Sequence, residues 1–94
     1  MAATLFAEPP SATLSEAIQH FMAAERMKPE GWKENRLFIA KCHIGLREYS
    51  EAISWLDKAD SIPLAPSHYR EGIKDRISQE EIHGLITKYQ GYRV

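Results

Sequence analysis

The tetrapeptide Ser-Glu-Ala-Ile occurs twice in this chain of 94 residues, at positions 15–18 and again at 50–53. The neighbouring residues match under the same shift, so that Ala17, Phe21 and Ala24 correspond to Ala52, Leu56 and Ala59. Residues at i, i+4 and i+7 lie on one face of an α-helix, and alanines on that face let a second helix approach closely. A chance tetrapeptide would not repeat its flanking residues as well. The sequence therefore predicts a helical repeat.

Apolar residues recur at helical spacing through most of the chain. The pattern predicts helices at about 14–28, 32–46, 49–62 and 67–90. Thr13 is predicted to cap the first helix, with Glu16 reaching back to it in a capping box. A similar box begins at Ser78, so the tail is either one helix or two helices that break there. Alternating strand patterns are absent from the sequence, and we expect an all-α fold of about four to five helices.

A period near 34 residues with the pattern A-x-x-x-F and a closing proline is typical of the tetratricopeptide (TPR) helix pair. The two units here reach their prolines at Pro29 and Pro63. With Ala52 on the conserved alanine of the second helix of a pair, Arg36 falls where tryptophan is usual and Arg47 where glycine usually makes the turn. We expect TPR-like antiparallel helix pairs closed by a C-terminal capping helix.

The whole chain, 1–94, is expected to form a single TPR-like helical domain. Its parts are a remnant of a preceding helix with a Pro-Pro turn, the repeat core, and a C-terminal capping helix or helix pair, at 1–13, 14–63 and 64–94. A helix pair cannot bury its apolar face alone. We therefore expect Leu5 and Phe6 of the remnant to be buried against the first complete helix, as at the end of a longer stack.

Two stretches are more specific, and they read LFAEPPSATLSEAIQHFMAAERMKP and NRLFIAKCHIGLREYSEAISWLDKA. Over roughly 3–63 they resemble the C-terminal TPR-like domain of the regulator of microtubule dynamics family. Members have an Ala-rich acidic helix ending in Lys-Pro, an N-R-L-x-x-x-K-C stretch and an E-A-x-x-W-L-x-K-A helix. The matching residues of the last two motifs are Asn35-Arg36-Leu37, Lys41-Cys42, Glu51-Ala52, Trp55-Leu56 and Lys58-Ala59. The resemblance implies a cytoplasmic protein of the cytoskeleton and spindle poles that acts in microtubule dynamics and chromosome segregation.

The sequence contains no group of residues with the spacing of a catalytic or metal site. The four histidines lack metal-ligand spacing with one another and with Cys42. Cys42 and His43 are adjacent on a predicted helix, so their side chains diverge by roughly 100° and cannot form a nucleophile–base pair. Cys42 is therefore interpreted as a small core residue. We expect no enzymatic activity, no cofactor and no bound metal.

In a TPR stack the first helices of the pairs line a concave groove that holds peptide ligands. The groove positions predicted on the helix at 32–46 are Lys33, Glu34, Leu37, Lys41 and Ile44. An apolar floor with a basic residue suits an acidic peptide segment of a protein partner. The alternative interpretation is that Lys41 is an ordinary solvated lysine and Leu37 a core residue.

Charge is distributed unevenly along the chain. Six bases and two acids give residues 26–47 a charge of +4, whereas 1–25 and 48–65 each carry −3. Direct binding to the acidic surface of tubulin would require a basic cluster, and Lys33, Arg36 and Lys41 do not all share one helix face. We expect this fragment to bind a protein partner, and contact with microtubules or tubulin to need the rest of the full-length protein.

The remaining partner classes follow from composition. A formal net charge of −1 gives no general attraction to nucleic acid or to an anionic membrane. No apolar run approaches the roughly 20 residues that span a bilayer. We therefore expect no nucleic acid partner and no membrane contact by this fragment. Two alternative functions stay open: a generic TPR adaptor, and a self-associating scaffold without direct microtubule contact.

Overall fold

The computed structural model describes residues 11–28, 31–66 and 70–93. These residues form four α-helices followed by one 3-10 turn. The helices are α1 (Ser11–Met27), α2 (Lys33–Gly45), α3 (Tyr49–Asp60) and α4 (Arg70–Tyr89), and the turn is Gln90–Tyr92. No strand occurs in these described segments. The all-α class and the number of helices are therefore confirmed.

Helix α2 lies at the centre of the fold, because it contacts α1, α3 and α4. Helix α3 in turn contacts α4, and the 3-10 turn packs against both α3 and α4. Each helix thus packs on its predecessor, and α4 also reaches back to α2. This order is the one expected of a stack of helix pairs. The narrower assignment to the TPR class, and the three-part division of the domain, stay predictions.

The core is formed mainly by α2 and α3, with one fully buried side chain from α4. Its apolar members are Leu37, Ile39, Ala40, Cys42, Ala52, Ile53, Trp55, Leu56, Ala59 and Ile82. Ala52, Leu56 and Ala59 are the repeat residues of the second unit, and all three have no exposed surface. The small side chains allow α3 to lie close to its neighbours, so the face predicted from the repeat is the face that packs.

The matching residues of the first unit are less buried. Ala17, Phe21 and Ala24 on α1 are each only partly covered, and Phe21 packs against the edge of the core. The cause is that α3 lies against both α2 and α4, whereas α1 has its packing partner in α2. Truncation of a fully buried phenylalanine to alanine costs about 3–5 kcal/mol. Because Phe21 is only partly buried, we expect a smaller loss from Phe21→Ala.

Several helix ends differ from the predicted ones. Helix α1 begins at Ser11, so Thr13 lies within the first turn and the prediction that it caps the helix is wrong. Ser78 lies inside α4 and is buried, so the tail is one helix rather than two. Leu5 and Phe6, with the rest of the predicted N-terminal remnant up to residue 10, lie outside the described residues.

The turn between α2 and α3 depends on Arg47, which has a φ of 62°. Its N–H donates to the carbonyl of Ile44 at 2.9 Å, and the N–H of Glu48 donates to the carbonyl of His43 at 2.8 Å. Glycine is the usual residue in this left-handed conformation, because it has no Cβ to clash. Arg47 therefore occupies a glycine position of the repeat and adopts the glycine conformation there.

Lys33, in the first turn of α2, connects three helices. Its side chain is 2% exposed, and Nζ donates to the carbonyl of Ala59 at 2.8 Å and to Oε1 of Gln79 at 2.6 Å. Burial lowers the pKa of the Lys33 ammonium, and the nearby carboxylates of Asp60 and Asp75 only partly offset that effect. The end of α3 and the middle of α4 are thus held to α2 by a single buried ammonium.

Arg36 makes the equivalent contact one turn later in α2. Its Nη1 donates to the carbonyl of Lys58 at 2.8 Å, and its Nε donates to Oε2 of Glu25 on α1, also at 2.8 Å. Cations near the last carbonyls of a helix satisfy groups that lack helical partners and complement the helix dipole. Lys33 and Arg36 together therefore cap the C-terminus of α3, which accounts for arginine at a position where tryptophan is usual.

The packing predicts that Ala52→Leu destabilises the protein. Ala52 has no exposed surface, and forcing a larger side chain into a filled helix contact costs about 1–3 kcal/mol. Urea denaturation should show that loss, and a thermal melt should fall by about 4–8 °C per kcal/mol. Ala23→Leu, on the exposed face of α1, is the matched control. Equal stability of the two variants would contradict the assignment of the packed face.

The buried Lys33 predicts a pH-dependent difference from Lys33→Met. The pKa of Lys33 is lower in the folded state than in the unfolded chain. At pH values between these two pKa values, the unfolded chain therefore binds the lysine proton more readily than the folded protein. The stability of the wild type should then rise with pH relative to Lys33→Met, as pH approaches the ordinary lysine value of about 10.4.

Urea denaturation at neutral and alkaline pH measures this difference directly. The exposed Lys88, changed to Met, is the control, because it lies outside the buried junction. Parallel pH profiles for the wild type and Lys33→Met would contradict the interpretation of Lys33 as a buried, desolvated ammonium.

Candidate partner-binding cleft

A cleft of about 400 Å³ opens between the C-terminal end of α1, the first half of α2 and the start of α4. We call it the α1–α2–α4 cleft. It is lined by Ala24, Trp32, Lys33, Glu34, Asn35, Phe38, Lys74 and Asp75. Its volume lies within the range of about 300–1,000 Å³ that ligand sites usually have. The cleft can therefore accept side chains of a partner.

Two aromatic side chains give this cleft its apolar surface. Trp32 is 44% exposed and Phe38 is 37% exposed, although both lie next to fully packed positions of α2. Phe38 is supported from behind by Phe21, with 5.6 Å between the ring centres. Exposed aromatic side chains on a supported backbone are typical of binding surfaces.

Each aromatic ring has a lysine beside it. Nζ of Lys28 lies 4.9 Å from the centre of the Trp32 ring, and Nζ of Lys41 lies 5.7 Å from the centre of the Phe38 ring. Lys74, which is exposed, adds a third ammonium on the α4 side of the cleft. Apolar area next to cations suits a peptide that carries both an apolar side chain and carboxylates.

The polar groups of the α1–α2–α4 cleft mostly hold the helices in place. Nδ2 of Asn35 donates to the carbonyl of Phe21 at 3.0 Å, which ties α2 to α1. Oδ2 of Asp75 accepts the N–H of Ala65 at 2.9 Å, which ties α4 to the segment before it. Nζ of Lys33 points away into the α2–α3–α4 junction. Glu34 remains an exposed acidic group at the cleft.

The residues predicted for the groove are not gathered in one surface. Of the five, Lys33 and Glu34 line the cleft. Leu37 is buried in the core, Ile44 is partly buried, and Lys41 forms an ion pair with Glu81 on α4. Helix α4 covers much of the face that the repeat mapping assigned to the groove. The binding role of these five residues itself stays a prediction.

Several cleft residues were not predicted from the sequence. They are Ala24, Trp32, Asn35, Phe38, Lys74 and Asp75. The exposure of Phe38 could have been predicted from the sequence, because Phe38 lies on the opposite side of α2 from Ala40, the small packing position of that helix. The positions of Lys74 and Asp75 in the cleft could not, because their place beside α2 depends on where α4 packs.

The basic stretch 26–47 is partly used inside the fold. Lys33 is buried, Arg36 pairs with Glu25, and Lys41 pairs with Glu81. Three of the six basic side chains are thus engaged by other residues of this chain, and they are not free to bind a partner. This arrangement leaves no continuous basic face along α2.

The described residues show no catalytic arrangement. The Cys42 thiol is buried, and burial raises its pKa, which disfavours the reactive thiolate. Nδ1 of His43 lies 2.8 Å from Oε1 of Glu48 instead of near Cys42. Within residues 11–28, 31–66 and 70–93, no group of three or more histidine, cysteine or acidic side chains could hold a metal ion.

Asp60, His83 and Gln79 form a polar cluster where α3 meets α4. Hydrogen bonds from the Gln79 amide and from the His83 ring lower the pKa of Asp60, against the opposing effect of partial burial. Oε1 of Gln79 is already taken by Lys33, so the cluster extends the buried Lys33 contact to the surface. It stabilises the junction and offers no open site.

None of the helices among the described residues is long and apolar enough to cross a membrane.

Comparison with known proteins identifies a family for this chain. The family described as regulator of microtubule dynamics protein 1-3 matches residues 1–90. Regulator of microtubule dynamics protein 2 of Bos taurus is 33% identical over 87 residues, which cover 93% of this chain and 20% of that protein. Regulator of microtubule dynamics protein 1 of Rattus norvegicus is 37% identical over 87 residues, which cover 93% of this chain and 26% of that protein.

Regulator of microtubule dynamics protein 3 of Rattus norvegicus is 42% identical over 62 residues, which cover 66% of this chain and 13% of that protein. The chain thus spans about a quarter or less of the length of these relatives. No solved structure matches. Since one family model covers nearly the whole chain, the chain belongs to the regulator of microtubule dynamics family.

Proposed function

We propose that this chain is a non-enzymatic protein–protein interaction module of a microtubule- and spindle-associated protein that acts in microtubule dynamics and chromosome segregation. Its site is the α1–α2–α4 cleft, and its ligand is an acidic peptide segment of a partner. The observation that carries this proposal is the pair of exposed aromatic rings, Trp32 and Phe38, each with a lysine beside it.

The cellular part of the proposal is supported by the family. The relatives are named regulators of microtubule dynamics, which supports a role at the cytoskeleton. A place at spindle poles in the cytoplasm is proposed on the resemblance of the motifs. Because the chain spans only part of each relative, contact with microtubules or tubulin is assigned to the full-length protein.

The chemistry of the ligand is supported by the residues around the cleft. An apolar side chain of the peptide would lie between Phe38 and Ala24, where supported apolar surface faces solvent. Carboxylates of the peptide would lie near Lys28 and Lys74, because Lys41 already pairs with Glu81. Glu34 disfavours an acidic group at one edge, which gives the peptide a preferred orientation.

A second candidate function is a scaffold that self-associates without direct microtubule contact. Two exposed isoleucines on α4, Ile73 and Ile77, favour it. In the other alternative, a generic adaptor, the same cleft binds a partner peptide, but the protein has no role at microtubules.

The cleft predicts loss of peptide binding in Phe38→Ala and Lys74→Glu. The probe is a synthetic peptide of glutamates with one central phenylalanine, and its affinity is measured by fluorescence anisotropy. Truncation of a central aromatic contact typically costs more than about 1 kcal/mol, so we expect affinity to fall about tenfold. Lys74 is preferred to Lys41 for charge reversal, because Lys41 also pairs with Glu81.

Ile77→Ala and Lys88→Glu are the matched controls, since both residues are exposed on α4 and lie outside the cleft lining. Circular dichroism melts establish that all four variants are folded. Unchanged affinity in Phe38→Ala, or equal losses in the controls, would contradict binding in the cleft.

Cosedimentation with microtubules tests the second part of the proposal. The bases of residues 26–47 are partly engaged inside the fold, so we expect weak binding by these 94 residues alone even at low salt. Electrostatic binding to an acidic surface is strongest at low ionic strength. Tight binding that is lost on adding salt would show that the chain contacts the lattice directly.

A further inference from the structure

Helix α4 carries two exposed isoleucines on its outward side. Ile73 is 57% exposed and Ile77 is 65% exposed. They are four residues apart, so the two side chains lie on the same face of the helix, about one turn from each other. The opposite side of the helix carries Ser78 and Ile82, which are buried against the rest of the fold. Ile73 and Ile77 therefore form an apolar stripe on a helix that is otherwise charged towards solvent.

Charges beside this stripe are arranged in a particular order. Lys74 and Glu81 are seven residues apart, nearly two helical turns, so they lie on the same flank of the stripe. The midpoint between them falls next to Ile77. A second α4 that runs antiparallel about that midpoint would place its Glu81 opposite Lys74 and its Lys74 opposite Glu81. A parallel two-fold pair would place the flanks that carry Lys74 and Glu81 on opposite sides of the interface, so the two residues could not pair between copies.

Beyond Ile77 the same face of α4 passes the exposed Glu80 and reaches Gly84, where an added Cβ would meet no atom within 4 Å. In the antiparallel arrangement, Ile73 of one copy lies near the start of the turn that contains Gly84 of the other. The missing side chain leaves room there for the isoleucine.

We propose that two copies of this chain associate through antiparallel packing of their α4 helices, with Ile77 near the two-fold axis and Lys74 of each copy opposite Glu81 of the other. Such an interface is isologous, because the same surface is used by both copies. This dimer rests on the self-associating alternative of the proposed function. It does not depend on ligand binding in the α1–α2–α4 cleft, although Lys74 borders both surfaces.

The size of the contact sets its strength. A 20-residue helix is about 30 Å long and about 10 Å wide, so two such faces bury on the order of 600 Å² in total. Stable dimers usually bury more than about 1,000 Å². We therefore expect a transient dimer with a Kd of about 0.1–1 mM, and not an obligate one.

Sedimentation velocity of the 94-residue chain at about 20 μM and about 1 mM tests this. A Kd in that range predicts mostly monomer at the lower concentration and about half or more of the chains in dimers at the higher one. Lys74→Glu and Glu81→Lys should each weaken association at least tenfold, because each places like charges opposite each other. An equimolar mixture of the two variants should associate again, because every pair across the interface is then of opposite charge. Ile77→Glu should abolish association.

Two further variants separate this interface from other effects. Glu81 also pairs with Lys41, so Lys41→Met removes that internal pair and should still dimerise like the wild type. Lys88→Glu makes the same charge change outside the pairing and should also have no effect. Circular dichroism melts exclude unfolding as the cause of any loss.

The proposal would be overturned by a wild type that stays monomeric at about 1 mM. It would equally be overturned by association that survives Ile77→Glu, or by a mixture of Lys74→Glu and Glu81→Lys that stays monomeric. Ile77→Glu should still bind the acidic peptide, because Ile77 lies outside the cleft. Failure of the dimer and failure of the cleft are thus distinguishable.

Discussion

The structure depends most on the contact of Lys33 with the end of α3 and the middle of α4. A buried ammonium is unfavourable unless its donors are used, and here two of them reach the Ala59 carbonyl and Gln79. Any packing that moved α3 or α4 away would leave the charge uncompensated. Since α2 contacts the three other helices, this one junction fixes their positions around it, and Arg36 extends it to α1.

The same junction decides which charges are available for binding. Cations that cap α3 or pair with acids on neighbouring helices cannot also form a basic face towards a partner. What remains is a set of separate lysines, among them Lys28 beside Trp32 and the exposed Lys74 at the edge of the cleft. The surface is therefore better suited to a short peptide of mixed apolar and acidic character than to an extended anionic lattice.

The two repeat units have different surroundings although their sequences match. Helix α3 lies between α2 and α4, so Ala52, Leu56 and Ala59 are fully covered, whereas Phe21 on α1 is only partly covered. At the other side of the stack, α4 turns Ile73 and Ile77 to solvent. A stack of helices buries the faces between its members. The apolar surface that α4 leaves exposed here is where we propose that a second copy packs.

The sequence by itself determined the helical class and the packed face of α3, because both depend on residue spacing within about one or two turns of helix. It also determined the repeat and the family, because both are carried by motifs that recur or match along the chain. It also indicated Cys42 as a core residue and an unusual turn at Arg47. Only the tertiary structure decided that Lys33 and Leu37 are buried, that α4 is unbroken at Ser78, and that Trp32, Phe38 and Lys74 share a cleft. Those outcomes depend on where α4 packs on α2 and α3, and that position is set by contacts between residues up to 46 positions apart, such as Lys33 and Gln79.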